Sequence, residues 1–392
     1  MYEVHNDLIG FIKQHYHLKD GIPLHAPVFQ GNEKKYLIDC IESTFVSYIG
    51  KYVTQFEEMT AQFTGAKYAV AVVNGTVALQ IALQVAGVKR GDEVITQALT
   101  FAATANAIAH TGASPVFIDV DKDTMGMSPV ALRLWMEANV ELRGDKEFGK
   151  ADGSVVAYNK LTNNKLSAIV PMHTFGHPCR IDEIKKIADE YSILVIEDAA
   201  ESLGSYYNGQ HTGTFGKAGV LSYNGNKTIT TGGGGMIITD DENFAKHAKH
   251  ITTTAKVPHP WEYYHDEVGY NFRLTNVSAA IGVAQMEKID YYLADKRNTA
   301  SQYEIFCSVR SIDLVKEPPN SKSNYWLNAV ILGDRLEREA FLENSNKQGV
   351  MTRPIWRLMN KLEMYEHSQH DDLTNSQWLE DRVVNIPSGV NL

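Results

Sequence analysis

Between residues 68 and 240, short apolar runs rich in β-branched residues alternate with longer stretches whose apolar positions recur at helical spacing. The short runs read as strands and the longer ones as helices. The pattern predicts strands at 69–73, 93–96, 116–120, 168–172, 193–197, 220–223 and 236–239, separated by helices at 76–86, 102–110, 128–138 and 181–191. Alternation of this kind is that of a mainly parallel α/β sheet, here of seven strands. Residues 139–166 are polar, interrupt the alternation and read as a surface insertion. After Leu274 the spacing is helical over 277–289 and again over 291–309, followed by a strand at 325–332 and a helix at 337–348. The expected organisation is an N-terminal arm with a large domain over 1–274 and a smaller α+β domain over 275–392.

Composition narrows the class. The chain has 392 residues, 44% of them hydrophobic and 21% charged, an ordinary globular balance that builds a core without staples. Three cysteines, Cys40, Cys179 and Cys307, show no C-x-x-C spacing, which suggests neither a disulfide framework nor a cysteine zinc site. No apolar segment approaches the ~20 residues of a membrane helix. The expectation is a soluble, cytoplasmic protein. The net charge is −10 and the 37 Lys and Arg residues are scattered, which argues against a nucleic-acid footprint.

Candidate chemistry gathers where predicted strands end. Lys227 stands in a polar turn between the strand ending at Ser222 and the glycines 232–235. A lysine becomes a Schiff-base nucleophile in a pocket that lowers its pKa, whereas on an open surface it is a protonated point charge. Ser222 would direct a hydroxyl into the same cavity, and the glycines would let backbone approach a ligand. The run Ala69-Val-Ala-Val-Val-Asn-Gly-Thr76 is a strand, a tight turn and a helix start, with Gly75 and Thr76 placed as an anion cup. The same threonine could simply cap its helix. The strand 193–197 runs into Asp198 and Glu201, at the edge where open α/β sheets bind ligands. A carboxylate there can keep a heteroaromatic nitrogen protonated, or cap the turn that follows.

Other signals fail on inspection. Asp119, Asp121 and Asp123 open like a calcium loop, but Thr124 and Val130 stand where glycine and glutamate are needed. His173 and His177 have metal-ligand spacing, yet Pro171 and Pro178 bracket them and oppose a regular helix. Neither dinucleotide nor P-loop glycine patterns occur around Gly75, so a nicotinamide oxidoreductase loses its main support. No metal site is expected.

Taken in order, Asn74-Gly-Thr76, Thr100-Phe101, Glu197-Asp198-Ala-Ala-Glu201, Ser222 with Lys227, and Gly269-Tyr-Asn-Phe-Arg-Leu-Thr275 make a specific set. Over about residues 22–389 the chain resembles the DegT/DnrJ/EryC1/StrS nucleotide-sugar aminotransferases, of pyridoxal-phosphate fold type I. The run 22–36, the Ser-Tyr-Asn-Gly-Asn-Lys form of the lysine motif and the insertion before residue 170 resemble the bacillosamine and legionaminic acid branch. The resemblance implies pyridoxal 5′-phosphate as cofactor, Lys227 as covalent anchor and proton carrier, and Asp198 on the pyridinium nitrogen. It implies Phe101 stacked on the ring, and Gly75, Thr76 and Ser222 on the phosphate. Glu201, where glutamine or histidine is common, would meet the phenolic oxygen. Asn271 would reach the phosphate of a neighbouring subunit, which implies a homodimer with shared sites. The implied substrates are L-glutamate and a nucleotide-linked 4-keto-6-deoxy sugar, UDP-2-acetamido-2,6-dideoxy-hexos-4-ulose first among them. A 3-ketosugar or dTDP-4-ketosugar aminotransferase, or a non-catalytic cofactor-binding regulator, stands as the alternative. Related sugar 3-dehydratases carry histidine where this chain has Lys227.

Overall fold

The computed structural model describes residues 2–144 and 155–391. All seven expected strands form one sheet: β1 (Tyr68–Val72), β2 (Glu93–Gln97), β3 (Ser114–Ile118), β4 (Leu166–Val170), β5 (Leu194–Asp198), β6 (Ala218–Ser222) and β7 (Gly235–Thr239). Their spatial order is β1-β7-β6-β5-β4-β2-β3. Only β7 within this sheet runs against its neighbours, and the other pairings are parallel. β3 and β4 end two residues before their apolar runs do, because each run continues past the regular ladder to a buried residue held by an isolated bridge, Val120 to Met127 and Met172 to Asp198.

The sheet is covered on both faces, which is why its strands read as continuous apolar runs. On one face Leu79, Ile81 and Ala82 of the helix Gly75–Val85, with Phe244, Ala248 and Ile251 of the helix Glu242–Thr252, pack on Val70, Val220 and Ile237. On the other, Phe56 of the helix Lys51–Thr64 and Ala280 and Val283 of the helix Asn276–Met286 pack on Leu221, Met236 and Ile238. These two helices approach closely: a Cβ on Gly282 would lie 2.8 Å from the Phe56 ring.

Hydrophobic layers cut across the expected division at 274/275. The helix Asn276–Met286, expected in the smaller domain, belongs to the core of the large sheet. Conversely, Leu8, Ile9 and Ile12 of the first helix, Tyr2–His15, share a core with Tyr303, Val330, Phe341, Val384 and Ile386. The two ends of the chain therefore build one layer. It contains a four-stranded sheet ordered Asp313–Leu314, Asn328–Ile331, Val383–Ile386, Arg353–Pro354. The strand expected at 325–332 is shorter than its apolar run, since Tyr325 adopts a left-handed φ of 46° and turns residues 324–327 toward the large sheet.

The middle of the insertion, residues 145–154, lies outside the described residues. Its flanks, Val140–Gly144 and Val155–Asn159, pair as an antiparallel ribbon. No helix among the described residues is long and apolar enough to cross a membrane.

Candidate active site

Parallel strands β1, β2, β4, β5 and β6 all end on one edge of the sheet, and the loops leaving them meet the turned segment 324–327. Between them lies a cavity of about 560 Å³. Seven sequence candidates line it: Gly75, Thr76, Phe101, Asp198, Glu201, Ser222 and Lys227. The eighth, Asn271, is exposed and lies outside the lining.

The anion cup is built by strand pairing. Gly235 of β7 lies opposite both Val72 of β1 and Ser222 of β6. A Cβ on Gly235 would fall 2.3 Å from the Asn74 carbonyl, so only glycine lets the 74–76 turn settle over this strand. The turn then brings Gly75 against Ser222, whose Oγ would be 3.2 Å from a Cβ on Gly75. Asn74 caps the following helix by accepting the Val77 amide at 2.8 Å, and Gly75 and Thr76 face the cavity at the helix's positive end. The expected role of glycines 232–235 is corrected here. None of them lines the cavity, and Gly235 makes its close approach to protein backbone, not to a ligand.

Three carboxyl groups are buried around the end of β5. Glu197 faces away from the cavity and is fully satisfied: its oxygens accept the amides of Gly213, Phe215 and Gly216 at 2.7 Å and meet His173 Nε2 at 3.0 Å. Asp198 accepts the Thr104 hydroxyl at 2.6 Å and the Ala200 amide at 3.1 Å, which fixes its orientation on the cavity wall. Glu201 accepts the Phe175 amide at 2.9 Å and the Lys227 Nζ at 3.2 Å. Burial raises the Glu201 carboxyl from 4.5 to about 7, with Lys227 pulling the other way.

Lys227 is held by more than this contact. Its Nζ sits 3.9 Å from the centre of the Trp326 ring, and the indole Nε1 donates to the Asn226 carbonyl at 2.7 Å. Phe101 is 52% exposed at the start of the helix Ala102–His110, with its ring 6.3 Å from that of Trp356. Arg353 and Arg357 also line the cavity. Sequence reasoning missed Thr104, Trp326 and both arginines. Thr104 lies one helical turn beyond Thr100 and could have been found by that spacing, whereas Trp326 carries no local motif.

Of the rejected metal candidates, Asp121, Asp123 and His173 have protein partners, while neither ring nitrogen of His177 has one among the described residues. Asp121 and Asp123 each pair with Arg180 at 2.6 Å. His173 and His177 are wholly buried, the first against Glu197 and the second pushed down to about 4 by burial.

A family model described as the DegT/DnrJ/EryC1/StrS aminotransferase family matches residues 27–392. The chain belongs to this family. It is 36% identical over 370 residues to the GDP-perosamine synthase of Escherichia coli O157:H7, covering 94% of this chain and 93% of that one. The GDP-perosamine synthase of Vibrio cholerae is 34% identical, with 94% of each chain covered. Helicobacter pylori PseC, an aminotransferase of pseudaminic acid biosynthesis, has the same fold with a TM-score of 0.83 over 95% of each chain at 22% identity. As a family member this protein is a pyridoxal phosphate-dependent sugar aminotransferase of fold type I. The cavity fits that cofactor: an anion cup, a fixed carboxylate and a lysine amine surround one space closed by aromatic residues.

The raised carboxyl of Glu201 makes a signed prediction. Because its folded value lies above its ordinary one, its stabilising contribution is complete below pH 4.5 and disappears as pH rises through about 7. A shift of this size corresponds to roughly 3 kcal/mol. In cofactor-free protein, Glu201→Gln should flatten the fall in melting temperature between pH 5 and 8 relative to the parent; parallel profiles would refute the assignment.

Proposed function

We propose that this aminotransferase moves an amino group from L-glutamate to C4 of a nucleotide-linked 4-keto-6-deoxy sugar. The observation that carries the reading is the convergence of Lys227, Asp198, Glu201 and the Gly75–Thr76–Ser222 cup on one cavity. Bound pyridoxal phosphate supplies an electron sink and carries the amino group between the two substrates. The amides and hydroxyls of Gly75, Thr76 and Ser222 would hold its phosphate. Asp198, fixed by Thr104 and Ala200, would face the ring nitrogen, and Phe101 would cover the ring. Glu201 can serve where glutamine or histidine is usual, because a carboxyl near its titration point can donate to a phenolic oxygen that a fixed anion would repel. Lys227 Nζ would anchor the cofactor, take the α-proton of glutamate and return a proton to sugar C4. One base working in both directions accounts for a single amine at the reacting edge.

For the sugar, the branch motifs at residues 22–36 and around Lys227 favour UDP-2-acetamido-2,6-dideoxy-hexos-4-ulose, giving the 4-amino-2,4,6-trideoxy product. Similarity to GDP-perosamine synthases favours instead a GDP-linked 4-keto sugar. A panel of UDP-, GDP- and dTDP-linked 4-keto sugars with glutamate, products read by mass and NMR, should show fastest amination of the UDP-acetamido sugar. Exclusive use of the GDP sugar would overturn that choice, and equal turnover by Lys227→Ala would overturn the mechanism.

Asn271 and the exposed apolar residues Ile38, Ile41, Phe45, Val46 and Ile49 support a homodimer in which Asn271 serves the partner's cofactor phosphate. Mixing inactive Lys227→Ala with weakened Asn271→Ala protein should then regenerate activity through sites that receive both native residues. A mixture no more active than its components would contradict sharing.

A further inference from the structure

A second lysine is buried beside the site, and nothing in the reaction above uses it. Lys296 of the helix Ile289–Ser308 has no exposed surface, and no carboxylate neutralises it among the described residues. Its Nζ instead meets three acceptors: the Ser388 carbonyl at 2.6 Å, His25 Nε2 at 2.9 Å and the Trp326 carbonyl at 3.1 Å. An ammonium has three N–H groups, so each has an acceptor here when His25 carries its own proton on Nδ1, a buried atom with no partner of its own among the described residues. Burying an ammonium on neutral partners is costly unless the geometry is complete. Here it ties together the N-terminal segment, a long helix, the turned segment 324–327 and the end of the chain.

Trp326 is the one of these partners that reaches the site. Its carbonyl is gripped by Lys296, its indole Nε1 donates to the Asn226 carbonyl beside Lys227, and its ring lies 3.9 Å from the Lys227 amine. The neighbouring Asn324 bonds the carbonyls of Glu201 and Leu203 at 2.8 and 2.9 Å, so the same segment also braces the loop that carries Glu201. We propose that Lys296 is a positioning residue for Lys227, holding Trp326 so that its indole fixes both the turn bearing Lys227 and the lysine amine. His25 acts with it as the acceptor contributed by the N-terminal segment. The groups that bear on this cluster are His25, Asp295 on Lys296's own helix and, across Trp326, Lys227 with Glu201. Asp295 is engaged elsewhere, accepting the Asn391 amide at 2.8 Å. Burial lowers the Lys296 amine to about 7, and His25 is held well below its ordinary value by burial and then by Lys296 and Lys227.

The inference rests on the proposed role of Lys227. The test is a pH titration of the visible absorbance of bound cofactor in holoenzyme, for the parent, Lys296→Met, Trp326→Phe, their double variant, His25→Ala and His25→Gln. Lys296→Met and Trp326→Phe should each move the titration midpoint in the same direction by about half a unit to one unit. Their effects should not add, because both break one chain of contacts. His25→Ala should shift the midpoint the same way, and His25→Gln, which restores an acceptor, should return it toward the parent. In steady-state assays Lys296→Met should lower kcat about tenfold with KM for the sugar little changed, the cost of a slightly misplaced base. Superimposable titrations for the parent and either Lys296→Met or His25→Ala, or additive shifts for Lys296→Met and Trp326→Phe, would overturn the inference. Should Lys296→Met fail to fold, the two His25 variants and Trp326→Phe still decide it. A parent holoenzyme without lysine-bound cofactor absorbance would instead defeat the reading of Lys227.

Discussion

Burial of three carboxyl groups within five residues, Glu197, Asp198 and Glu201, is the constraint on which the rest of the site depends. A buried carboxylate is tolerated only when donors or a cation compensate for lost water. Each of the three meets that demand differently. Glu197 is bound by three amides and a histidine, and becomes a rigid support that draws the 211–216 loop against β5. Asp198 takes one hydroxyl and one amide and stays open to the cavity. Glu201 has one amide and one lysine, so its state is tied to whatever Lys227 is doing. A gradient from fully satisfied to conditionally satisfied runs from the sheet into the cavity.

Strand ends on one edge place the cup, the carboxylates and the lysine within reach of each other, but they do not close the space. Closure comes from the segment 324–327, bent out of the smaller sheet at Tyr325, and from Trp356 opposite Phe101. Core residues such as Phe175, Trp326, Ile355 and Leu358 form one cluster with Leu99 and Val120 of the large-sheet loops, so the join between the two layers is itself packed. The candidate cavity lies at that join, lined by Trp326, Leu327 and Ile355 together with Thr76, Asp198 and Lys227.

Much of this was legible in the sequence. The seven strands announced themselves because a sheet covered on both faces is apolar throughout, and seven of eight candidate residues reached one cavity because each ends a strand, opens a helix or, like Glu201 and Lys227, sits in the turn just past a strand end. Short-range chemistry is written in consecutive residues. What escaped was long-range: the helix Tyr2–His15 packing with Phe341 and Ile386, the placement of the helix Asn276–Met286 on the large sheet, and the grip of Lys296 on Trp326. Those contacts join residues tens to hundreds of positions apart, and no local periodicity encodes them. The glycine run misled for a related reason, since absence of a side chain signals close approach without saying to what.

Borohydride reduction of the holoenzyme, followed by mass mapping of the cofactor-labelled peptide, tests the central assignment most directly. The label should fall on Lys227 and vanish in Lys227→Ala. A label on Lys296, or an unchanged label in the variant, would contradict Lys227 as the covalent anchor.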